Sequence, residues 1–512
     1  MRRPLVALLG LVALLAALVG VGTATGTTAR TAATAAGAAT AASAAVTPVP
    51  VVGASAVCPS VRTGSDLSTQ VSAGAVDTGQ PLTGASAPLT AASLTALALG
   101  DDGPPAILPV QRLGQVATGL APGLEDDAYV LSARGELAGA LVAAQSTRGS
   151  RGAERGLAGL RCTAPQTESW FAGGSLGVGD QAVLLLVNPD DSPALVDVDV
   201  WSAEGPADER PGRGLVVAPR SRSTVSLDRL APGRTLLGVH VSSTRGRVAA
   251  ALRHTKVDGR VPQGAEWVPA SPAPANRVVV PGLPAGPGRR AVLVTNPGPD
   301  PVDVRVQLSS ADGQFVPTGL DAVRVPGGST VSSELTGALA SSSAAVVVTS
   351  ETAPVLAVGL VVEAERRGPA EFSYAGAAGP LNGPALLPDG AVQARREDTL
   401  LLSAPEQDAT VVVRPLQVLG STTELGRART VKVAGGRTTE LPLADLVADE
   451  ASGPLAVEVR PADGSGPVYA ARFVREQVGD GPFITGLALE SAAPAVSRPS
   501  VVADPGAVVA PD

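Results

Sequence analysis

The chain has 512 residues, a length that exceeds what one hydrophobic core organises and that predicts several domains. Hydrophobic residues make up 45% of it but aromatic residues only 2%, so Val, Ala and Leu must fill the cores, which favours strands. The net charge is −8, and no stretch combines clustered arginines with aromatic residues, which argues against a nucleic-acid-binding protein.

The N-terminal residues carry an export signal. Arg2 and Arg3 precede an unbroken apolar run from Pro4 to Gly22. A basic start followed by such a run directs export and keeps the positive end in the cytoplasm. The run is just long enough to span a bilayer and small residues follow it, so residues 1–22 are predicted to be either a signal anchor or a cleaved signal peptide. The rest of the chain is then extracytoplasmic, either membrane-anchored or secreted.

Two flanking segments lack large apolar side chains. Residues 23–56 consist mainly of Ala, Thr, Gly and Ser, and residues 491–512 of Ala, Pro and Val. Such segments cannot bury enough surface to offset the entropy of ordering. We therefore predict a disordered Ala/Thr-rich stalk over 23–56 and a disordered tail over 491–512.

The interior repeats itself at intervals of roughly 100 residues. The segment Ala182–Pro189 recurs as Ala291–Pro297, and more weakly as Thr399–Pro405. An alternating run follows each copy, for example Val196, Val198 and Val200 with aspartates between them. Period-two alternation predicts a strand with one buried face. The Asn-Pro pair that ends the first two copies is typical of a turn, because asparagine caps its own backbone and proline fixes φ.

Each unit is predicted to finish with a hairpin, over Val239–Leu252, Val346–Leu360 and Leu455–Val474, and residues 128–141 fit the same hairpin in a diverged first copy. Seven or eight short strands in about 100 residues, without an amphipathic helix, favour a β-sandwich. We predict an all-β fold of tandem immunoglobulin-like β-sandwich modules after an N-terminal apolar helix, arranged as a rod. The modules are 57–165 (diverged, with a disulfide), 166–272, 273–380 and 381–490. Two propeller blades per repeat remain an alternative.

The order of these pieces resembles a known family. Trp170-Phe171-Ala-Gly-Gly, then Leu-Leu-Leu-Val-Asn-Pro, the alternating strand, Pro-Arg-Ser-Arg-Ser-Thr-Val and a closing hairpin look like the actinobacterial DUF5719 family, a domain of unknown function. The resemblance covers roughly Val57 to Leu489 and implies an exported bacterial β-sandwich repeat protein, with no implied activity. The last unit departs from the pattern because it lacks the Asn-Pro turn, which puts its strand register in doubt.

Cys58 and Cys162 are the two cysteines of the chain, and both lie on the exported side of the apolar segment. In an oxidising compartment such a pair is most simply a disulfide. Two free buried thiols or a metal pair are the alternatives. A metal is disfavoured because no histidine lies near either cysteine in sequence and two thiolates make half a zinc site.

The sequence offers little for catalysis. His240 and His254 are the two histidines, and both are predicted to be exposed on strands, too far apart to act together. Phosphate-loop, His-Glu-x-x-His and EF-hand motifs are missing from the chain. We predict that the protein is not an enzyme and has no catalytic, cofactor-binding or metal site.

Four aromatic residues recur near the module junctions: Trp170, Phe171, Trp267 and Phe372. Successive modules need side chains that fill the contact between them, so packing between modules is the favoured interpretation. Stacking on a sugar ring is the alternative. Trp201, which follows Val200, is predicted to lie in a core.

These predictions favour a non-catalytic cell-envelope protein that acts as a structural or protein-interaction scaffold. The alternative is a module that binds a carbohydrate or an envelope polymer. Predicted partners are the membrane, through the N-terminal segment, and an unknown envelope protein or glycan. Nucleic acid is not among them.

Overall fold

The computed structural model describes residues 47–61, 66–79, 93–98, 106–107, 110–119, 127–208, 210–364, 369–419, 422–448, 452–479, 481–493 and 495–498. The fold is all-β, as predicted. The chain divides into two compact units, one of residues 50–494 and one of residues 1–49 with 495–512. The second unit contributes to a separate two-stranded sheet of β1 (Thr47–Pro50) and β38 (Ala495–Arg498).

The larger unit consists of four consecutive segments, each with two sheets. Segment one forms a first sheet in the order β2–β7–β4–β5 and a second sheet in the order β6–β3–β8–β9. Its strands are β2 (Gly53–Val61), β3 (Leu67–Ala75), β4 (Ser93–Ala98), β5 (Ala106–Ile107), β6 (Val116–Gly119), β7 (Asp127–Arg134), β8 (Leu141–Gly149) and β9 (Gly156–Arg161).

Segment two has a first sheet built on β10–β16–β12 and a second sheet β15–β11–β17–β18. Its strands are β10 (Glu168–Ala172), β11 (Asp180–Asn188), β12 (Ala194–Ser202), β13 (Gly205–Pro206), β14 (Leu215–Val217), β15 (Ser221–Ser226), β16 (Gly238–Arg245), β17 (Ala249–Asp258), β18 (Val261–Val268) and β19 (Ala270–Ser271).

Segment three has a first sheet built on β20–β26–β22 and a second sheet β25–β21–β27–β28. Its strands are β20 (Arg277–Leu283), β21 (Arg289–Asn296), β22 (Val302–Ser310), β23 (Gly313–Phe315), β24 (Val323–Val325), β25 (Ser329–Glu334), β26 (Ala344–Ser350), β27 (Leu356–Ala364) and β28 (Ala370–Ala375).

Segment four has a first sheet built on β29–β35–β31 and a second sheet β34–β30–β36–β37. Its strands are β29 (Ala385–Val392), β30 (Arg396–Ala404), β31 (Ala409–Leu419), β32 (Thr422–Leu425), β33 (Arg429–Val433), β34 (Arg437–Pro442), β35 (Gly453–Pro461), β36 (Tyr469–Val478) and β37 (Gly481–Ala488). Helical structure in the described ranges is limited to short 3-10 turns at Gly135–Ala140, Gly152–Glu154, Arg210–Gly212, Leu227–Arg229, Thr336–Leu339 and Leu443–Leu446.

The four segments share one pairing plan, including the first, whose sequence matches the others least. In each, the opening strand joins the first sheet, the next strand joins the second, and the last long strand ends the second sheet. Four large clusters of buried side chains, mostly Val, Leu and Ala, are each centred on one segment, and those of segments two and three extend into the following segment. The Val-rich alternation therefore places its apolar faces between the two sheets.

The predicted closing hairpins are wrong. In segment two, β16 belongs to the first sheet and β17 to the second, although only a short turn at Gly246 separates them. The same division separates β7 from β8, β26 from β27 and β35 from β36. Each strand of the pair buries one face in the shared core, so the connection crosses from one sheet to the other. The true hairpin is the following pair, β17 with β18 in segment two.

The Asn-Pro turns are built as predicted. The Asn188 side chain is fully buried, and its Oδ1 accepts a hydrogen bond from the Asp190 backbone N–H at 3.0 Å. Its Nδ2 donates to the backbone carbonyls of Ser192, Val217 and Ala218 at 2.8, 3.1 and 3.0 Å. Asn296 makes the equivalent bonds in segment three. Each asparagine therefore ties its turn to the loop before a later strand.

We expect Asn188→Ala to lower the free energy of unfolding by about 1–3 kcal/mol, because it leaves buried backbone carbonyl groups without a hydrogen-bond donor. Chemical denaturation measures the change. Asp191→Ala is the matched control, since the Asp191 side chain lies in the same turn but is 93% exposed. Equal stability of the two variants would show that the Asn188 hydrogen bonds do not hold this turn.

The segments pack head to tail. The first sheet of each contacts the second sheet of the next, and the first sheet of segment four contacts the second sheet of segment one. Apolar clusters lie at these contacts: Val57 and Ala128 with Val187 and Ala249; Val279, Ala345 and Val347 with Tyr469; and Leu386, Leu416, Val418 and Ala456 with Val76, Val116 and Val142. Between segments two and three, Ser202 of β12 pairs with Ser329 of β25, which joins the first sheet of segment two and the second sheet of segment three into one 10-stranded sheet.

The predicted rod is therefore wrong, because the last segment returns to the first. Arg148 of segment one forms an ion pair with Glu476 of segment four. Thr423 exchanges two hydrogen bonds with the Val116 backbone, at 3.0 and 3.1 Å. A heterologous contact repeated around an axis closes when the rotation per unit completes a circle. We call this closed cycle of four segments the ring.

The structure also moves the predicted boundaries. Strands β1 and β2 begin inside the predicted stalk, and Ser491 pairs with Ala385 inside the predicted tail. The predicted signal segment 1–22 and the stalk up to residue 46 lie outside the described residues, as does 499–512. Within the described ranges, no helix has the length and apolar character needed to cross a bilayer.

Candidate functional site at the junction of the closing strands

The last long strand of each segment, β9, β18, β28 or β37, meets its counterparts in the middle of the ring. We call these the closing strands. Each contacts two others, in the cyclic order β9, β18, β28 and β37. The four closing strands therefore meet at a common centre, where β18 and β28 each contribute a buried glutamate and β9 contributes glycines.

Glu266 of β18 bridges three segments at this centre. It is 1% exposed. Its Oε1 accepts hydrogen bonds from the Gly159 backbone N–H of segment one at 3.0 Å and from the Trp267 N–H at 2.8 Å. Its Oε2 accepts one from the Thr485 hydroxyl of segment four at 2.7 Å. Burial raises the pKa of Glu266 to about 8, against the effect of these donors.

Glu371 of β28 brings a second carboxyl group from segment three. It is fully buried, and its Oε1 accepts a long hydrogen bond of 3.4 Å from the Ala265 N–H. A Cβ on Gly156 would lie 2.5 Å from the Glu371 carboxyl group, so this carboxyl requires glycine there. Burial, together with the neighbouring Glu266 carboxyl, raises the pKa of Glu371 well above its usual value.

Arginines surround the two acids without closing tight ion pairs to them. Arg155 is 3% exposed, and its Nη1 lies 3.9 Å from Glu371 Oε2. Its guanidinium group lies 4.7 Å from the centroid of the Phe483 ring, and that of Arg148 lies 5.0 Å from the same centroid. Arg253 instead donates to Glu154 at 2.7 Å. The junction thus combines two buried carboxyls with cations that are engaged elsewhere or too distant to hydrogen-bond.

A cavity of about 610 Å³ opens at one end of the junction, and all four segments line it. Its walls are mostly small apolar residues at the ends of the closing strands, with Cys162, Phe171, Ala377 and Leu487 among them. Arg161 and Glu490 form an ion pair at 2.6 Å between segments one and four in this lining. A cavity of this size can hold a small molecule or a short peptide.

The predicted disulfide is present beside this cavity. Cys58 of β2 and Cys162, just after β9, are joined with a Cα–Cα distance of 4.6 Å. Backbone hydrogen bonds between Val57 and Thr163 run alongside, at 2.8 and 3.2 Å. The bond therefore fastens the opening strand of segment one to the end of its closing strand.

Two of the predicted junction aromatics, Trp267 and Phe372, lie at contacts between segments. Trp267 is buried among Ala158 and Leu160 of segment one. Phe372 of segment three lies 4.7 Å from the ring of His254 in segment two. Trp170 packs against a cluster that includes side chains of segments two and three.

The fourth predicted junction aromatic, Phe171, is fully buried. It belongs to the core of segment two and also reaches the cavity wall.

The histidines are not exposed, which corrects the prediction. His254 is 5% exposed, and its ring nitrogens contact Asp180 Oδ1 at 3.0 Å and the Tyr374 hydroxyl at 2.9 Å. The Tyr374 oxygen also accepts the Gly174 N–H at 2.9 Å, so this network joins segments two and three. Burial lowers the pKa of His254, although Asp180 acts to raise it. His254 lies between Arg253 and Thr255-Lys256, a polar stretch that gave no sign of its burial or of its distant partners.

Trp201 does not lie in the core. Val196, Val198 and Val200 face inward, so the next residue points to the opposite face with Asp197 and Asp199. There the Trp201 and Trp170 rings stack at 6.0 Å with planes 8° apart. His240 stacks on Trp170 at 3.7 Å, and its Nδ1 lies 3.4 Å from Asp199 Oδ2. We call Trp170, Trp201 and His240 the aromatic stack.

In the ranges that the structure covers, no group of three or more His, Cys, Asp or Glu side chains could hold an ion.

The pairing plan and the ring define a class of all-β proteins with four repeated two-sheet segments. The chain belongs to the DUF5719 family, described as a family of unknown function, whose sequence profile matches residues 117–425. This confirms the predicted membership, over a shorter stretch than the resemblance covered. No curated protein matches the chain.

Proposed function

We propose that the protein is a non-catalytic, extracytoplasmic component of the cell envelope, in which four tandem immunoglobulin-like β-sandwich modules form a closed scaffold for a binding partner. One observation carries the proposal. The four segments repeat one strand-pairing plan and close on themselves, and their centre opens into a cavity that all four line. A partner seated at this cavity would contact every module at once.

The proposed location rests on two features. The disulfide between Cys58 and Cys162 suits an oxidising compartment. The apolar run from Pro4 to Gly22 suits export and either anchoring or cleavage. Mass spectrometry of the N-terminus from native membranes and from culture medium tests this. A terminus beyond residue 22 indicates a signal peptide, an intact one in the membrane fraction indicates an anchor, and an intact one in the cytosol would refute export.

Site-specific photo-crosslinking in intact cells tests the scaffold. A photoreactive residue in place of Glu490, whose side chain is 54% exposed within the cavity lining, should give a discrete protein adduct. The matched control is a probe in place of Val178, which is fully exposed and lies outside that lining. Equal labelling from both positions, or none from residue 490, would argue against the cavity as the partner's seat.

Binding of a carbohydrate or an envelope polymer is the second candidate, and the aromatic stack favours it. Trp170 and Trp201 present nearly parallel rings on the outer face of the first sheet of segment two, next to Asp197 and Asp199. Parallel rings flanked by acceptors are a surface on which a sugar can stack and hydrogen-bond.

Trp201→Ala separates the two candidates. Trp201 is half-buried, so the variant should fold. If the scaffold proposal is right, retention of the protein on isolated envelope polysaccharide should be absent or unchanged in the variant. Polymer binding at the stack predicts a loss of retention of roughly tenfold or more, because a central aromatic side chain supplies much of the binding energy. Thermal denaturation of both proteins checks that any loss is not due to unfolding.

A further inference from the structure

We propose that the junction of the closing strands is a proton-operated lock, in which the ring stays shut while Glu266 and Glu371 are protonated and opens when they lose their protons. The inference concerns the opening of the ring and stands whichever partner the scaffold binds. It rests first on position. Glu266 accepts hydrogen bonds from segments one and four, and Glu371 enters from segment three.

The lock is placed where opening must occur. Segments one and four are the ends of the repeat, so the ring can open between them without breaking the chain. Glu266 of segment two touches both, through the Gly159 N–H and the Thr485 hydroxyl. Opening between segments one and four would break these two bonds and separate the closing strands β9 and β37 from β18.

Charge at the junction opposes closure. Glu266 and Glu371 repel each other when ionised, and both are buried where water cannot screen them. Arg155 Nη1 is 3.9 Å from Glu371 Oε2, beyond hydrogen-bond distance, and Arg253 pairs with Glu154. In the closed ring, the negative charges of an ionised Glu266 and Glu371 would therefore lack hydrogen-bonded cations. In the open ring, water would solvate them.

The other ionisable side chains on the strands next to the junction already have hydrogen-bond or ion-pair partners. On β17, His254 faces Asp180 and Tyr374. On β27, Glu363 is the register neighbour of Glu371 and is held by Arg290 and Arg475. On β37, Thr485 contributes a hydroxyl group that does not titrate in this range.

Several buried polar atoms at the junction lack a hydrogen-bond partner in the closed ring. Arg155 Nε and Nη1, Trp267 Nε1, Glu371 Oε2 and Ser373 Oγ are buried without a hydrogen-bond partner in the structure. Hydration of these atoms on opening offsets part of the cost of separating the strands. The closed ring therefore depends on the neutrality of the two carboxyl groups.

The direction of the pH effect follows from linkage. The pKa of Glu266 is about 8 in the closed ring, against an ordinary value of 4.5. The closed ring therefore binds the proton more tightly than the open one. Its stabilisation is complete below about pH 4.5 and is lost as the pH rises towards 8, with the opening equilibrium increasing roughly tenfold per pH unit for one carboxyl.

Amide hydrogen exchange of the closing strands tests the lock. After correction for the intrinsic pH dependence of exchange, protection of β9 and β37 in the intact protein should fall at least roughly tenfold per unit between about pH 5 and about pH 8. The double variant Glu266→Gln/Glu371→Gln should abolish this dependence of amide protection on pH. Asp191→Asn, at a 93% exposed acid in the turn after β11, should keep it. A flat wild-type profile, or an unchanged slope in the double variant, would overturn the proposal.

If the double variant does not fold, infrared spectroscopy of the wild-type protein decides. Protonated carboxyl groups absorb at a frequency distinct from carboxylates. The proposal expects their band to persist at about pH 6 and to disappear as the ring opens near pH 8. A spectrum without that band at about pH 6 would show that the acids are already ionised in the closed ring, and the lock would be excluded.

Discussion

Arg472→Met should lower the free energy of unfolding by about 3–5 kcal/mol, because it leaves the buried Asp389 without its arginine partner and Asp398 with Arg396 alone. Arg472 on β36 is 3% exposed. Its Nε and Nη2 donate to Asp398 at 2.7 and 2.8 Å, and its Nη1 pairs with Asp389 at 2.8 Å. Burial acts to lower the pKa of Arg472, but the two carboxylates outweigh it and raise the pKa above its usual range. Asp389 lies on the first sheet of segment four and Asp398 on the second, so Arg472 holds the sheets together.

The control is to remove Asp389 and Asp398 together with Arg472, while Arg396 keeps its contact with Glu476 at 3.9 Å. A triple variant with Arg472→Met, Asp389→Leu and Asp398→Val should recover most of the lost stability, since buried ion pairs replaced by apolar side chains are often neutral or stabilising. Chemical denaturation near neutral pH measures all three proteins. If the single variant were as stable as the wild type, or the triple variant less stable than the single one, charge compensation would not be the role of Arg472.

Replacing both Cys58 and Cys162 with alanine should lower the free energy of unfolding by about 2–5 kcal/mol. The bond closes a loop with a sequence separation of 104 residues, so it removes considerable entropy from the unfolded chain. Segment one touches both segment two and segment four, and the loss should therefore also loosen ring closure. Hydrogen exchange of β2 and β9 should show the largest local increase.

A reductant provides the matched experiment. It should destabilise the wild-type protein by the same amount and leave the double-alanine variant unchanged. A variant as stable as the oxidised wild type would mean that the hydrogen bonds between Val57 and Thr163 already suffice to fasten the strand.

The period-two pattern was enough to predict strands, the all-β class and the repeat, because alternating valines bury one face whatever the tertiary context. It did not show which strands share a sheet. β16 and β17 are adjacent in sequence and both alternate, yet they belong to opposite sheets. Sequence distance alone cannot distinguish a hairpin from a turn that crosses between sheets.

Ring closure left a signal that the pattern analysis did not use. In β11 the residues Leu184 to Val187 are all buried, inward and outward alike. Continuous apolar runs are typical of strands covered on both faces. The outward side chains contact the neighbouring segment, as Leu185 and Val187 do. Which segment covers which face depends on the rotation between modules, and no local pattern encodes it.

The junction acids were beyond sequence reasoning for a similar reason. Glu266 and Glu371 sit in short polar interruptions that resemble solvent-facing positions. They are buried because four strands, about 100 residues apart in sequence, meet at one centre. The small residues opposite them, Gly156 and Gly159, accommodate this approach, since a Cβ on either would clash with a facing side chain.

Closure of the ring is the central claim, and a cross-link between segments one and four tests it most directly. Arg148 and Glu476 are 328 positions apart in sequence but form an ion pair in the structure. The double variant Arg148→Cys/Glu476→Cys, treated with a short bis-maleimide at low protein concentration, should form an intramolecular cross-link that mass spectrometry locates at both positions. Arg148→Cys alone should form none. A double variant that yields only mono-adducts or intermolecular products would contradict the closed ring.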